Sequence, residues 1–237
     1  VVVQPGTFNQ KCKYSRMNKE NFSPSYGILG ETENGVQAEY ISLYEHNLHI
    51  MSNDLSFEES SSMQLVFMTA YQMLVTRASL TKDETILIYG ASSGVGSAAI
   101  QIAKEIGATV ISTVGQQNKI EYALNLGSDH VLLHNNSIID EVKEITNNIG
   151  VDIVCEHVGK DTWNQSMRLL KKGGRIVTCG STSGSKVSID LRYLFSKQQS
   201  ILGSTMSDLS SFNAVMNKIN NNKYRPCIDK IFSFKEV

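Results

Sequence analysis

Ser93, Gly94 and Gly96 lie in a turn within the sequence ILIYGASSGVGSAAIQIAKEIGA. A strand-like apolar run ends at Gly90 and a helical pattern begins near Val95, so free backbone N–H groups and the positive end of a helix dipole meet there. The two glycines have no side chain to block a phosphate or the packing of helix against strand. The turn therefore predicts a pyrophosphate site, and the alternative is a tight strand–helix turn that binds nothing.

The end of the second strand indicates which dinucleotide would bind. In NAD sites an acidic residue about 20 residues after the turn accepts the ribose 2′-hydroxyl. Here Val114 stands at that position, and residues 108–120 contain no carboxylate. An uncharged end followed by Gly115 and Lys119 suits a 2′-phosphate, which predicts NADP(H) in preference to NAD(H). Lys119 has the alternative of an ordinary solvated lysine. His134, after the third strand, is a further candidate to face the adenosine phosphate, or a surface histidine without a role.

Alternating strands and helices must position these residues. Apolar strand-like runs from residue 84 onward alternate with stretches of helical period, which predicts a parallel sheet covered by helices. One such stretch places Trp163, Met167 and Leu170 on a single helical face before Gly173. The fold class is therefore α/β, a Rossmann doubly wound parallel six-stranded sheet. The six runs are TILIYG, ATVIST, HVLLH, DIVCEHV, RIVTCG and SILGST.

The segments before and after this alternation differ from it. Residues 1–55 are rich in turn formers and short β-like runs (VVVQP, AEYISL, LHIM), as expected for part of a β domain. Ser56 and Glu59 fit a capping box that starts a helix. After residue 206 a last helical pattern leads into CIDKIFSF, which predicts a returning strand.

Composition narrows the class of protein. The 237 residues carry a formal net charge of −1 and no sustained basic run, so a nucleic-acid partner is not expected. The apolar runs are far shorter than the roughly 18–20 residues of a membrane-spanning helix, which predicts a soluble protein. Four separated cysteines without a CxxC pair favour a reduced, cytoplasmic setting.

These motifs together resemble the medium-chain dehydrogenase/reductase superfamily, close to zinc-type alcohol dehydrogenases and quinone oxidoreductases. The matching stretches include YGILGETENGVQAEY, LVFMTAYQML, GASSGVGSAAIQIAK, GVDIVCEHVG and LLKKGGRIVTCG, in the order of that family. The resemblance implies an incomplete groES-like catalytic domain at 1–55, a Rossmann domain at 56–206, and a helix and return strand at 207–237. It also implies a homodimer or homotetramer, with dimerisation through SILGST.

The resemblance assigns residues to the two halves of a cofactor. Ser93, Gly94 and Val95 would bind the pyrophosphate. The residues implied on the nicotinamide side are Thr69, Gly180, Ser181, Gly203 and Ser204.

Two departures from the family pattern concern zinc. Metal-bearing members have four cysteines in the loop at residues 9–23, where this chain keeps Cys12 and has Asn9, Ser15 and Ser23 at the other positions. A tetrahedral structural zinc needs four nitrogen or sulfur ligands, so the loop is expected to be metal-free and mobile. The third catalytic ligand position falls on Leu65, which has no lone pair to offer.

The resulting prediction is an NADP(H)-dependent oxidoreductase without zinc that transfers hydride to or from a small carbonyl, alkene or quinone. No catalytic side chain is identified. The alternatives are a zinc-dependent alcohol dehydrogenase with an unusual ligand set, and a relative that binds NADPH without turnover. Since the chain lacks the family's N-terminal stretch, we expect it to bind cofactor better than it catalyses.

Overall fold

The computed structural model describes residues 1–135 and 137–236. The chain divides into two compact units, the first formed by residues 1–69 with 205–237 and the second by residues 70–204.

The described residues contain ten β-strands: β1 (Val2–Val3), β2 (Gly6–Thr7), β3 (Gly27–Ile28), β4 (Leu48–His49), β5 (Thr85–Ile88), β6 (Thr109–Val114), β7 (His130–Leu133), β8 (Val151–Glu156), β9 (Leu170–Thr178) and β10 (Ser200–Gly203). They also contain seven α-helices: α1 (Phe57–Tyr71), α2 (Gly94–Ile106), α3 (Ile120–Asn125), α4 (Ile138–Ile145), α5 (Trp163–Leu169), α6 (Leu191–Ser196) and α7 (Leu209–Asn220). A π-helical segment, Gln72–Arg77, follows α1 directly.

The second unit is built on a six-stranded parallel sheet with the strand order β10-β9-β8-β5-β6-β7. Its central strands lack the alternation of buried and exposed residues that a half-solvated sheet shows, and every residue of β8 is buried, including Asp152 and Glu156. The chain runs outward from β5 through β6 to β7 and then returns to β8 on the other side of β5. The carboxyl ends of β5 and β8 therefore flank the topological switch point, where ligands bind in open α/β sheets.

The predicted Rossmann architecture is confirmed, and all six predicted strands form. The helix predicted to include Leu170 is shorter than expected. Trp163 and Met167 lie in α5, but Leu170 has extended dihedral angles and begins β9. Leu170 pairs with Val151 of β8, so the gain of a strand pairing outweighs the helical period of the sequence.

The first unit contains two short antiparallel ladders, β1 with β4 and β2 with β3. The predicted capping box is present: Ser56 Oγ accepts from Glu59 N at 3.1 Å, and Ser56 N donates to Glu59 Oε2 at 2.9 Å. Phe67 of α1 stacks on Tyr224 with ring centroids 5.1 Å apart, and Phe212 of α7 is also buried.

Two of the strand predictions are wrong. Neither AEYISL nor CIDKIFSF pairs with another strand among the described residues. Tyr40 is 91% exposed and Phe232 is also exposed. β-branched and aromatic residues favour strands only where a partner strand and a packing surface are present.

In the part of the chain that the structure describes, no helix is long and apolar enough to cross a membrane.

Candidate functional site

The turn between β5 and α2 leaves two backbone amides without an acceptor. Ser93 is the N-cap of α2, and its Oγ accepts a 3.0 Å hydrogen bond from Gly96 N. Ser93 O accepts from Ser97 N at 2.9 Å. Among the described residues, no acceptor faces the amides of Gly94 and Val95. Both amides belong to the first turn of a 13-residue helix, where the dipole favours an anion.

Glycine is required at two positions of this turn for different reasons. Gly90 has a φ of +62°, in the left-handed region that favours glycine. Gly96 packs so closely on the turn that a Cβ there would collide with the carbonyl oxygen of Gly90. The predicted role of Gly96 in helix–strand packing is confirmed by this contact.

Strand β6 fixes the other side of the turn. Thr113 O accepts from Ala91 N at 2.8 Å, and Thr113 Oγ1 accepts from Gly90 N at 3.2 Å. Thr113 is fully buried. Thr113 is not among the residues predicted from the sequence, although a threonine near the end of a buried strand is a detectable signal.

The exit from β8 is organised by Glu156, which is fully buried. Its carboxylate accepts from Val158 N at 2.7 Å and Gly159 N at 3.1 Å. It also accepts from the hydroxyls of Thr162 at 2.9 Å and Ser166 at 2.7 Å. The carboxylate thereby holds the loop after β8 and the start of α5 in one arrangement.

His157 points to a different partner. Its Nε2 lies 2.8 Å from Tyr89 O, at the end of β5. Successive side chains of a strand face opposite ways, and the side chains of Glu156 and His157 accordingly contact separate groups.

The residues predicted for the adenosine half follow the ends of β6 and β7. Val114 ends β6 with its side chain buried, so Gly115 is the first exposed position after the strand. His134 is exposed and donates its backbone N–H to Val114 O at 2.8 Å. Lys119 is exposed in the short 3₁₀ turn that follows. Along the chain from Thr109, where β6 begins, the first acidic residue is Glu121.

The residues predicted for the nicotinamide half lie at the ends of β9 and β10. Gly180 and Ser181 follow β9 and are exposed. Gly203 ends β10, and Ser204 N donates to Thr178 O at 2.8 Å. Ser204 Oγ is buried and has no partner among the described residues.

Two further residues are Thr69, which the resemblance assigns to the nicotinamide side, and Cys179, which directly follows β9. Thr69 lies in α1 and belongs to the first unit, whereas every other predicted site residue belongs to the second. Burial raises the pKa of Cys179 to about 11, which keeps its thiol protonated at neutral pH.

The loop at residues 9–23 does not offer a zinc site. Cys12 Sγ lies 3.1 Å from Ser15 Oγ and donates to Ser23 Oγ at 3.5 Å. Hydrogen bonding with the side chains of Ser15 and Ser23 lowers the pKa of Cys12 to about 7. One thiolate among hydroxyls and an amide is a poor donor set for tetrahedral zinc. Across residues 1–135 and 137–236, no group of three or more His, Cys, Asp or Glu side chains could hold a metal.

The same loop is tied down by its second half. Glu20 is buried and its Oε2 accepts from Leu209 N, at the start of α7, at 3.2 Å. Asn21 Nδ2 donates to Thr205 O at 3.1 Å. These bonds within the first unit argue against the mobility expected from the sequence. At the other position of interest, Leu65 is half-exposed on α1 and offers no metal-binding atom.

Comparison with known proteins places these features in a family. Residues 94–221 match the sequence model of the zinc-binding dehydrogenases. The chain is 31% identical over 180 residues to a quinone oxidoreductase of Homo sapiens, covering 76% of this chain and 54% of that protein. The chain spans about half the length of the curated relatives it matches.

Solved structures have the same fold. A crystal structure of an NAD-dependent alcohol dehydrogenase superimposes with a TM-score of 0.91 at 35% identity, covering 95% of this chain and 66% of that one. The 2-octenoyl-CoA carboxylase reductase CinF, in complex with NADP and 2-octenoyl-CoA, gives a TM-score of 0.85 at 28% identity and covers 94% and 55%. With the match over 94–221, the chain belongs to the zinc-binding dehydrogenase family of the medium-chain dehydrogenase/reductase superfamily.

Proposed function

We propose that the protein binds NADPH at the carboxyl edge of the six-stranded sheet and transfers hydride to an electron-poor alkene, quinone or small carbonyl without zinc. The observation that carries this proposal is the pair of amides at Gly94 and Val95, which have no hydrogen-bond acceptor within residues 1–135 and 137–236. A diphosphate supplies the oxygens that such amides bind. CinF, which shares the fold, was solved with NADP bound.

The preference for NADPH over NADH is part of this proposal. The end of β6 has no carboxylate to accept a ribose 2′-hydroxyl or to repel a 2′-phosphate. Lys119 and His134 are exposed near that strand end and supply donors for a phosphate. The alcohol dehydrogenase whose crystal structure resembles this chain is described as NAD-dependent, so the preference for NADPH over NADH requires its own test.

The protein's part in the reaction is positioning. Bound NADPH supplies the hydride, and Gly94, Val95 and the loop after β8 hold the dinucleotide at the switch point. The atoms around Cys12 are a poor ligand set for zinc, and Leu65 has no metal-binding atom. No step is therefore assigned to a metal. We assign no side chain to a proton transfer.

Turnover and binding separate this function from its alternatives. We expect the protein to oxidise NADPH when a quinone or an α,β-unsaturated thioester is added, and we expect added zinc to leave the rate unchanged. The absorbance of NADPH measures this rate. Tight NADPH binding without oxidation across alkenes, quinones and aldehydes would favour a non-catalytic relative. Alcohol oxidation that depends on one stoichiometric zinc would favour an alcohol dehydrogenase.

Substitution of Gly115 by aspartate tests the cofactor preference. No atom lies within 4 Å of a Cβ at Gly115, and its φ is not in the left-handed region, so the new side chain has room. A carboxylate beside the 2′-phosphate should raise the Kd for NADPH about tenfold and leave NADH binding unchanged or improved. Calorimetric titration with both cofactors measures this ratio. Gly115→Asn is the neutral control, and equal ratios in the two variants would contradict the proposal.

We also propose that two copies associate through β10. This strand lies at the edge of the sheet, and Ile201 on it is 36% exposed. An unpaired strand edge is a template for pairing with a second chain. Because Ser204 N donates to Thr178 O of β9 and N–H directions alternate along a strand, the N–H of Ile201 faces the free edge. Sedimentation of the wild type against Ile201→Pro, which removes that N–H, tests this association.

A further inference from the structure

The imidazole of His157 lies against the phosphate turn. A Cβ built on Gly90 would lie 3.2 Å from His157 Cε1 and 3.7 Å from Ser93 Oγ. The ring and the N-cap hydroxyl of α2 therefore flank the same point, at the switch point of the sheet. His157 is half-buried, so the ring is fixed on one side and accessible on the other.

The hydrogen bond to Tyr89 determines the tautomer of this ring. A carbonyl oxygen only accepts, so His157 Nε2 carries the proton in its 2.8 Å contact with Tyr89 O. In the neutral imidazole Nδ1 is then an acceptor. Among the described residues Nδ1 has no hydrogen-bond partner, and it is not one of the buried unpaired atoms. It is an acceptor open to solvent beside the proposed diphosphate site.

The position of His157 is set by its neighbours along the chain. Glu156 holds the next two residues through the amides of Val158 and Gly159. His157 O accepts from Thr182 N at 3.3 Å, in the loop after β9. The backbone at His157 is thus held from both sides, and the ring can serve as a preorganised contact.

A ligand at Nδ1 must donate a hydrogen bond. Phosphate oxygens accept only, so the diphosphate is not the partner of the neutral ring. Ribose hydroxyls donate. NADPH has two riboses, and the adenosine ribose is proposed for the β6 side of β5. His157 follows β8, on the opposite side of β5. The ribose that can reach His157 is therefore the one attached to nicotinamide.

We propose that His157 Nδ1 accepts a hydrogen bond from a hydroxyl of the nicotinamide ribose, which makes His157 a cofactor-binding residue. This inference rests on the proposed NADPH site. His157 is not assigned a role in hydride transfer.

Two conservative substitutions separate this role from a structural one. The amide of glutamine reaches the place of Nε2 and keeps a donor for Tyr89 O, but it removes the acceptor at Nδ1. Asparagine places an amide oxygen near Nδ1 and loses the bond to Tyr89. We expect His157→Gln to raise the Kd for NADPH about fivefold, the value of one hydrogen bond, and His157→Asn to stay within about twofold of the wild type.

The ligand provides a second control. The compound 2′,5′-ADP has the adenosine phosphates of NADPH and lacks the nicotinamide ribose. Calorimetry should show that His157→Gln binds 2′,5′-ADP as the wild type does while its NADPH affinity falls. Unfolding of each variant, followed by Trp163 fluorescence, verifies that the second unit is intact.

Each outcome decides the inference. Weaker NADPH binding by the asparagine variant alone would mean that His157 only braces Tyr89, and the ribose contact would be wrong. Equal loss of 2′,5′-ADP binding in His157→Gln would also overturn it. If wild-type NADPH binding is normal and no variant differs, the inference fails while the proposed function stands. If the wild type binds no NADPH, the proposed function itself fails.

Discussion

Replacing Gly94 by aspartate is expected to raise the Kd for NADPH about a hundredfold. Gly94 is exposed in the first turn of α2, and its amide has no acceptor in the part of the chain that the structure describes. A carboxylate within about 4 Å of the diphosphate costs about 3 kcal/mol at a partly screened surface, and 1.4 kcal/mol corresponds to a factor of ten. Isothermal titration with NADPH measures the change directly.

The same substitution leaves the fold in place, so the loss is specific to the ligand. Gly94 does not have a positive φ, and an acidic residue at the start of a helix is favoured by the dipole. Gly94→Asn provides the control of nearly equal size, and we expect its affinity to stay within tenfold of the wild type. Equal affinities of the aspartate and asparagine variants would show that no anion binds at this turn.

Replacing Glu156 by leucine is expected to lower the free energy of unfolding of the second unit by about 3 kcal/mol. Leucine has a similar volume but leaves the amides of Val158 and Gly159 without their acceptor. A buried donor left unpaired costs about 1–3 kcal/mol. The hydroxyls of Thr162 and Ser166 keep backbone acceptors, at 3.3 Å and 3.0 Å, and add less to the loss.

Urea unfolding followed by tryptophan fluorescence measures this change. Trp163 is the only tryptophan, lies one residue after Thr162, and is 8% exposed, so its emission reports on the unit that contains Glu156. Glu156→Gln keeps an oxygen for the two amides and should lose about 1 kcal/mol or less. An unfolding midpoint of Glu156→Leu equal to that of the wild type would show that the buried carboxylate does not hold this loop.

The period of the apolar residues is sufficient to predict the sheet of the second unit. Each of the six runs forms a strand, and continuous apolar sequence is typical of the parallel strands that are buried at the centre of such a sheet. The period fails at Leu170, where pairing with Val151 decides the conformation. It also fails for AEYISL and CIDKIFSF, since a strand depends on a partner that local sequence does not reveal.

The candidate site could be predicted in part for the same reason. Ser93 and Gly94 belong to a local strand–turn–helix pattern, and both lie where that pattern placed them. The positions of Glu156 and His157 depend on contacts that cross the sequence. Tyr89 is 68 residues from His157, and the burial of Glu156 follows from packing in three dimensions. Sequence patterns identify both residues as polar and say nothing about their partners.

The most direct test of the account is protein-observed NMR of the backbone amides during titration with NADPH. We predict that the amide protons of Gly94 and Val95 shift downfield and saturate with one equivalent of NADPH, as expected when each donates to a phosphate oxygen. The amides at the ends of β5 and β8 should change with the same affinity. Saturable NADPH binding that leaves the Gly94 and Val95 amides unshifted would contradict the claim that this turn holds the diphosphate.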